Sequence, residues 1–516
     1  MADPDPRRQI AYELRAPVSG MGLKDPRSAA LFWAIGSILL GILIMALLIT
    51  GEIRILTLIL ISLLGLVSLS PRRGIYILTL FLPFMYAIRR WVLTYEEFSR
   101  RDPILLFPVI VTVAIFAGVI LFDGQRIFHY FRHSPLLKAC SLLVGVFVFQ
   151  MVNPLQGNLL VGLVGGMFFI TPALWAFLGL GIDKETVQRL LRIVTVIGTI
   201  TAIYGIYQHF FGLSDVENYE VKAKGFYKAF GLHSNVRVMS TFASLVDFSR
   251  YLTISGFLAF AWFWRQKRGL LMLGIVALHL FALLFTASRT SYLVLFFSCA
   301  MLMVISGTNV RAIAVRGLAI VLAAVVLYGV LYQYDPHVVY NQQFSTNPYV
   351  VHTVSGITHP TEEGSFKTRL KAWTKVTVTT FTTNMAGHGL GSTVTSATGK
   401  FEGGEFYEVD SYFFELFWGS GLPAPVLFIV IGTMSLRGLV KLRLVRPEEY
   451  LYKVCFGLMC GAFLSSVFGI SLRDTISGPL GWLLIGWTAR ELVASREVAL
   501  AGVAAAATTG PAAVSA

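Results

Sequence analysis

The feature that most constrains this chain is the recurrence of long apolar runs separated by polar turns. They lie near residues 30–50, 53–69, 74–88, 103–122, 136–152, 158–182, 187–211, 250–264, 269–287, 291–307, 312–333, 412–434, 451–470 and 476–490. About 20 mainly apolar residues cross the hydrocarbon of a bilayer, and each backbone amide there must be paired within its own segment, so such runs mean helices. A barrel would show alternation over segments of about ten residues instead. Composition agrees: 55% of the 516 residues are hydrophobic and 14% are charged, with a mean hydropathy of +0.70, outside the range of ordinary soluble domains. The expected fold is an all-α polytopic membrane protein of about 14 transmembrane helices. Runs such as 74–88 and 250–264 are short for a full crossing, which widens the count to roughly 12–14.

Short cytoplasmic loops retain Lys and Arg, and here the bias is readable. With the N-terminus inside, the inner segments hold Arg72 and Arg73; Arg126, Arg132 and Lys138; Lys184, Arg189 and Arg192; Arg265, Lys267 and Arg268; and Arg437, Lys441, Arg443, Arg446 and Lys453. The expected organisation is a cytoplasmic segment 1–28, helices 1–11 over 29–333 with an extracytoplasmic loop 212–249, and a large extracytoplasmic loop 334–411. Helices 12–14 over 412–490 and a cytoplasmic low-complexity tail 491–516 complete it. Residues 1–28 have no apolar core of a signal peptide, so the first span is expected to direct insertion. The net charge of +14 and pI near 9.6 are explained by inner turns facing anionic headgroups, and no nucleic-acid partner is expected. Cys140, Cys299, Cys455 and Cys460 fall inside apolar runs and read as small buried hydrophobes, with no disulfide or metal framework. The absence of an evident internal repeat weighs against transporters built from duplicated halves.

Several arginines break the inside bias and fall at the outer face: Arg89, Arg90, Arg237, Arg250, Arg289, Arg369 and Arg473. A charge near the membrane is costly unless solvated or paired. A guanidinium is a planar fork of donors that matches phosphate oxygens, so several converging on one pocket would suit a pyrophosphate. For any one of them, snorkelling to headgroups is the alternative reading. Local sequence singles out some: Arg237-Val-Met-Ser240-Thr241-Phe242, then Asp247-Phe-Ser-Arg250; the turn Thr286-Ala-Ser288-Arg289; Arg369 four residues before Trp373; Gly387-His388-Gly389-Leu-Gly391; and Asp410-Ser411-Tyr412 with Gly421 and Ala424 beyond.

In this order the motifs resemble those of the lipid-linked polysaccharide ligase and polymerase superfamily, the O-antigen ligases and O-antigen polymerases. The resemblance runs from about residue 187 to 435 and rests on short motifs whose order is more specific than any one alone. The usual pattern has an arginine before Gly-Thr-Phe and Asn-Pro-Asn, a Ser-Arg turn, an arginine four residues before a tryptophan, and Gly-x-Gly. This chain has Ser240 in place of the first glycine and Val246-Asp247 in place of Pro-Asn. Ligases carry a histidine where Asp410 stands, so the resemblance leans toward a polymerase.

The resemblance implies a GT-C-like membrane glycosyltransferase architecture in a bacterial inner membrane, both termini cytoplasmic and the active site facing the periplasm or exterior. The implied activity is polymerisation of undecaprenyl-pyrophosphate-linked oligosaccharide repeats into an O-antigen, capsule or exopolysaccharide. Membrane lipids, a flippase and a chain-length regulator are the implied partners. Arg237 and Arg369 would hold the pyrophosphate, Arg289 would assist, and Asp410 would orient or deprotonate the acceptor hydroxyl. Arg250, His388, Trp373 and Ser411 would contact substrate. For Asp410 the alternative is a cap on the following helix; for His388, a loop histidine with no catalytic part. Glu402, Glu405, Glu408 and Asp410 could suggest a divalent cation, but arginines already supply phosphate neutralisation, so no metal and no cofactor is expected. Two other functions stay open: a ligase transferring the finished glycan to lipid A core or protein, and a polysaccharide transporter or flippase.

Overall fold

The computed structural model describes residues 71–92, 107–223, 231–232, 235–266, 269–307, 309–333, 353–354, 357–358, 364–393 and 409–508. The expected runs at 30–50 and 53–69 lie outside the described residues, as do Glu402, Glu405 and Glu408. Among the described residues the chain is helical apart from one antiparallel ribbon. The helices are α1 Pro71–Phe81, α2 Met85–Val92, α3 Phe107–His133, α4 Pro135–Met151, α5 Leu159–Leu178, α6 Lys184–Phe211, α7 Asp215–Ala223, α8 Leu245–Gln266, α9 Gly269–Thr286, α10 Arg289–Ile305, α11 Val310–Gln333, α12 Gly364–Thr382, α13 Tyr412–Ser420, α14 Pro423–Val445, α15 Tyr450–Phe468 and α16 Gly478–Thr508. The ribbon pairs β1 Gly231–Leu232 with β2 Asn235–Val236.

Five described helices are long and apolar enough to cross a membrane: α5 with its 3-10 extension to Gly181, α6, α11, α14 and α15. The bent pair within α3, turned by 90° near Asp123, makes a sixth if it is one span, and α4, α9 and α10 are shorter apolar helices. The described helices are thus compatible with a multi-pass membrane chain, and among the described residues fewer of them are full-length spans than the twelve apolar runs that fall there anticipate. Part of the difference lies in broken and short helices. The run 74–88 is interrupted by a 3-10 turn at Leu82–Phe84, with Pro83 inside it. The run 412–434 is two helices, because Gly421 takes φ +64 and Pro423 opens α14 as its first residue. A left-handed residue followed by Pro stops one helix and starts the next. At the other end, α16 runs on through the expected tail to Thr508. The expected outer loops also carry structure, with α7 and the ribbon in 212–249 and α12 in 334–411.

α8 packs on α9 and α6, α10 on α15, and α5 on α4 and α16. Small residues permit the last contact. A side chain on Gly486 would overlap the Ala176 carbonyl, and one on Gly179 would overlap that of Leu483. α11 is unlike the rest: none of its residues is buried, and its exposed surface is mostly Val, Leu and Tyr. Water is a poor solvent for such a surface, whereas lipid suits it.

Candidate functional site

The arginine-bearing segments meet at one end of the bundle. The turn after β2 leads through Arg237 and Ser240 into α8, and the Val238 N–H donates to the Phe285 carbonyl at 3.3 Å, just before the turn that carries Arg289. Both turns contain a non-glycine residue in the left-handed region, Ser240 and Ala287, each at φ +52. Such backbone persists only where surrounding contacts over-determine it. At Ser240 they do: its N–H donates to Gln208 Oε1 at 2.7 Å, its hydroxyl to the Thr201 carbonyl at 2.8 Å, and its carbonyl accepts from Arg90 Nη1 at 3.0 Å. Ser240 stands where the motif's glycine is expected, and its conformation is the one glycine adopts without strain.

Beneath this turn lies a buried ionic cluster. Arg90, at the end of α2, also bonds to Glu220 of α7 and the Phe242 carbonyl. Its Nη1 is 3.8 Å from Glu217 Oε1, and Arg89 Nη1 reaches Glu220 Oε1 at 3.3 Å. Glu217 accepts further bonds from Tyr204 and Gln208 of α6. Paired and hydrogen-bonded in this way, buried charges are tolerable, and removing one partner would be costly. Arg89 and Arg90, outer-face exceptions in the sequence, therefore anchor the Arg237 turn to the helices.

Arg369 is positioned by Trp373. One turn apart on α12, the two share a face. Trp373 is buried and stacks on Phe414 of α13, with ring centroids 4.9 Å apart and planes at 11°. Arg369 Nη2 then lies 3.3 Å from Asp410 Oδ2, the two side chains 36% and 63% exposed. Asp410 does not cap α13. That place is Ser411's, whose hydroxyl oxygen accepts from the Phe414 N–H at 3.4 Å and whose hydroxyl donates to the Ser466 carbonyl at 3.4 Å. Ser411 is thus buried and committed to structure, leaving the Asp410 carboxylate to face Arg369.

Arg289 is half-buried at the start of α10. Burial and then the positive charges of Arg237 and Arg369 pull its guanidinium pKa down to about 10. Arg237 and Arg369, far apart in sequence, are thus both close enough to Arg289 to act on its charge by repulsion. Partial desolvation strengthens that repulsion and would equally strengthen attraction to an anion. Arg250 is on α8. It pairs with Asp247 at 3.4 Å and packs against the backbone at Gly469, where a side-chain carbon would sit 3.1 Å from Arg250 Nη2. The Gly469 carbonyl in turn accepts from the Tyr412 N–H at 2.8 Å, which joins Arg250 to the Asp410 segment.

His388 is elsewhere. It is 4% exposed and stacked on Trp418 at 3.9 Å, near the far end of α13 and about 12 Å along that helix from Asp410. The Gly-His-Gly segment around it is a clamp. The His388 and Gly389 N–H groups donate to Trp418 and Gly419 carbonyls at 2.8 and 2.9 Å, and the Gly387 carbonyl accepts from Asn153 and Asn384. Gly387 and Gly389 have φ +87 and +89, which explains the spacing of the two glycines.

A further pairing was not anticipated: Arg473 stood among the outer-face arginines, but its partner was not singled out. Glu415 of α13 and Arg473, in the turn between α15 and α16, approach to 3.0 Å, with side chains 3% and 13% exposed. Arg473 also lies over the Phe169 ring, 5.4 Å from its centroid. One signal was available: Glu415 is a lone acid in the apolar run from Tyr412. Among the described residues no group of His, Cys, Asp and Glu could hold a metal ion. No family model and no curated protein matches the chain.

Proposed function

We propose that the protein is a membrane glycosyltransferase that polymerises undecaprenyl-pyrophosphate-linked oligosaccharide repeats on the extracytoplasmic face of a bacterial inner membrane. The observation that carries this reading is the convergence of Arg237, Arg289 and Arg369, with Asp410 3.3 Å from Arg369. Three guanidinium groups suit the charge of a pyrophosphate leaving group, and each offers a planar fork of donors to its oxygens. The acceptor hydroxyl oxygen bonds to the anomeric carbon as that carbon's bond to the pyrophosphate oxygen breaks. The bonding pair departs with the lipid pyrophosphate, and the hydroxyl proton passes to Asp410. A pyrophosphate is a good leaving group and needs no protein acid. Arg369 holds Asp410 in place before substrate arrives and is placed to engage phosphate afterwards.

The polymerase reading is favoured over the ligase by the residue beside Arg369: it is a carboxylate, and His388 is stacked away on Trp418. The test is reconstitution of the full chain with lipid-linked repeat units as sole substrate. Elongated glycans are expected, with Arg237→Ala and Arg369→Ala each lowering the rate by about 100-fold or more, equivalent to about 2.7 kcal/mol of transition-state stabilisation. Arg369→Lys should recover only part of the loss, since an ammonium cannot bind two oxygens in a fork. Transfer confined to a separate acceptor would make the protein a ligase. Translocation of the lipid without glycan transfer would make it a flippase.

A further inference from the structure

Two small cavities adjoin within the bundle. The first, of about 40 Å³, is enclosed by α8, α10, α15 and the turn leading to α16, and Arg250 with six hydroxyl-bearing residues makes up seven of its sixteen lining residues. The second, of about 20 Å³, lies between α1, α5, α6, α8 and α16, with Tyr251, Thr79 and Ser477 set among apolar side chains. Ile254, Ser477 and Leu480 belong to both walls. A water molecule needs roughly 10–15 Å³ of such space and two to four polar partners, so the first cavity has room for about two or three and the second for about one.

The polar groups of the first cavity call for a molecule that both accepts and donates. Arg250 is 9% exposed, and its hydrogen-bond partner among the described residues is Asp247, at 3.4 Å. A guanidinium carries five N–H donors, so one long contact leaves most of them in need of acceptors. The hydroxyls are in the opposite position. Thr253 donates to the Ser249 carbonyl at 2.8 Å, Ser291 to Ser249 Oγ at 3.0 Å and Ser298 to the Val294 carbonyl at 2.8 Å. With their hydrogens spent on the protein, what they offer is oxygen lone pairs. An anion would meet those lone pairs unfavourably and a cation would meet the guanidinium, whereas water accepts from the one and donates to the others. The second cavity poses the same demand. The Tyr251 hydroxyl is buried with no partner among the described residues, an arrangement that buried phenols avoid. Thr79 donates to the Ile75 carbonyl at 2.8 Å and Ser477 to the Asp474 carboxylate at 2.6 Å, which leaves both oxygens able to accept.

We infer that both cavities are internal hydration sites. Water in the first solvates the inner side of Arg250 and donates to the serine and threonine oxygens; a water in the second accepts from Tyr251 and donates to Thr79 or Ser477. The inference does not depend on the function proposed above. It supplies Arg250 with the solvent that a charge among apolar helices requires, and makes it a group held in place by Asp247 and water.

The test is X-ray radiolytic footprinting of the full-length protein in phosphatidylcholine nanodiscs, in which hydroxyl radicals formed from bound water oxidise the side chains beside it. Phe257 and Leu458 line the first cavity, Trp175 and Leu483 the second, and the controls Phe147 and Trp487 are also buried but line neither. The four cavity residues should be oxidised about tenfold or more faster than the controls. Ala462→Leu, which fills the first cavity, should bring Phe257 and Leu458 down to the control rate and leave Trp175 as it was. Tyr251→Phe keeps the ring and removes only the hydroxyl, so it should protect Trp175 and Leu483 and not Phe257, and it keeps the test decisive should Ala462→Leu fail to fold. Oxidation of all four residues at the control rate would mean dry cavities and overturn the inference. Fast oxidation unchanged by either variant would trace the label to bulk water and overturn it equally. Oxidation of Phe257 that appears only when chloride is exchanged for gluconate would place a halide beneath Arg250 and overturn the water site there.

Discussion

Ser240 shows how much one residue can carry. It holds a conformation that costs a non-glycine residue about 1–2 kcal/mol, and its hydroxyl bond to Thr201 returns about 1 kcal/mol. Ser240→Gly removes both, so thermal unfolding in detergent should show a change within about 1 kcal/mol. Ser240→Val keeps the strain, loses the bond and adds β-branching, and should cost about 2–4 kcal/mol. Equal destabilisation by the two would show that the backbone strain is immaterial. Asp183, the N-cap of α6, is the pH-dependent case. Partial burial pushes its carboxyl up, but hydrogen bonds from the Thr186 N–H and hydroxyl, with the charges of Arg72 and Arg490, outweigh that and leave its pKa below 3.8. A lowered carboxylate pKa contributes stability that is present above the unfolded value and lost as pH falls through the folded one. Asp183→Ala should therefore cost about 1 kcal/mol near neutrality. Melting curves of the two proteins should draw together below about pH 4.

Among the elements, α12 decides whether the site exists, because it carries Arg369 and is held to α13 by Trp373. Trp373→Ala should cost about 3–5 kcal/mol locally, raise hydrogen exchange across 364–382 and abolish glycan elongation. Trp373→Phe, keeping the stack on Phe414, should restore most of both. Unchanged exchange in the alanine variant would show that other contacts hold α12. The Arg-x-x-x-Trp spacing was legible in sequence because helical periodicity turns it into a shared face. The break between α13 and α14 was not, since Leu422 and Ala424 keep the hydropathy high across a stop set by Gly421 and Pro423. Nor was the Glu415–Arg473 pair, whose partners come from different helical hairpins and meet only through packing. The clamp role of Gly387 and Gly389 was hidden for the same reason: it depends on Trp418 and Asn153, neither of them local. Arg90 looked like a displaced surface charge because its carboxylate partners lie on a short helix inside an expected loop.

For the whole molecule, the proposed function requires one orientation, with the Arg237, Arg289 and Arg369 end outside and the turn between α14 and α15 inside. Met385 and Glu448 are exposed near these two ends. Met385→Cys should react with a membrane-impermeant thiol reagent in intact spheroplasts, and Glu448→Cys only after permeabilisation; the reverse pattern would invert the topology. Charge sets the expected orientation because Lys and Arg are sorted at insertion, and the labelling tests it; the number of full-length spans was harder to read, because short and bent helices blur hydropathy. α11 gives the molecule a different kind of freedom. With no buried residue, it meets the rest of the protein through a few contacts, Arg316 to the Met303 carbonyl and Tyr328 to the Thr358 carbonyl among them, and most of its side chains face outward. What its sequence must satisfy is therefore chiefly the surrounding solvent, and a hydrocarbon solvent asks of those positions that they be apolar rather than that they be any particular residue.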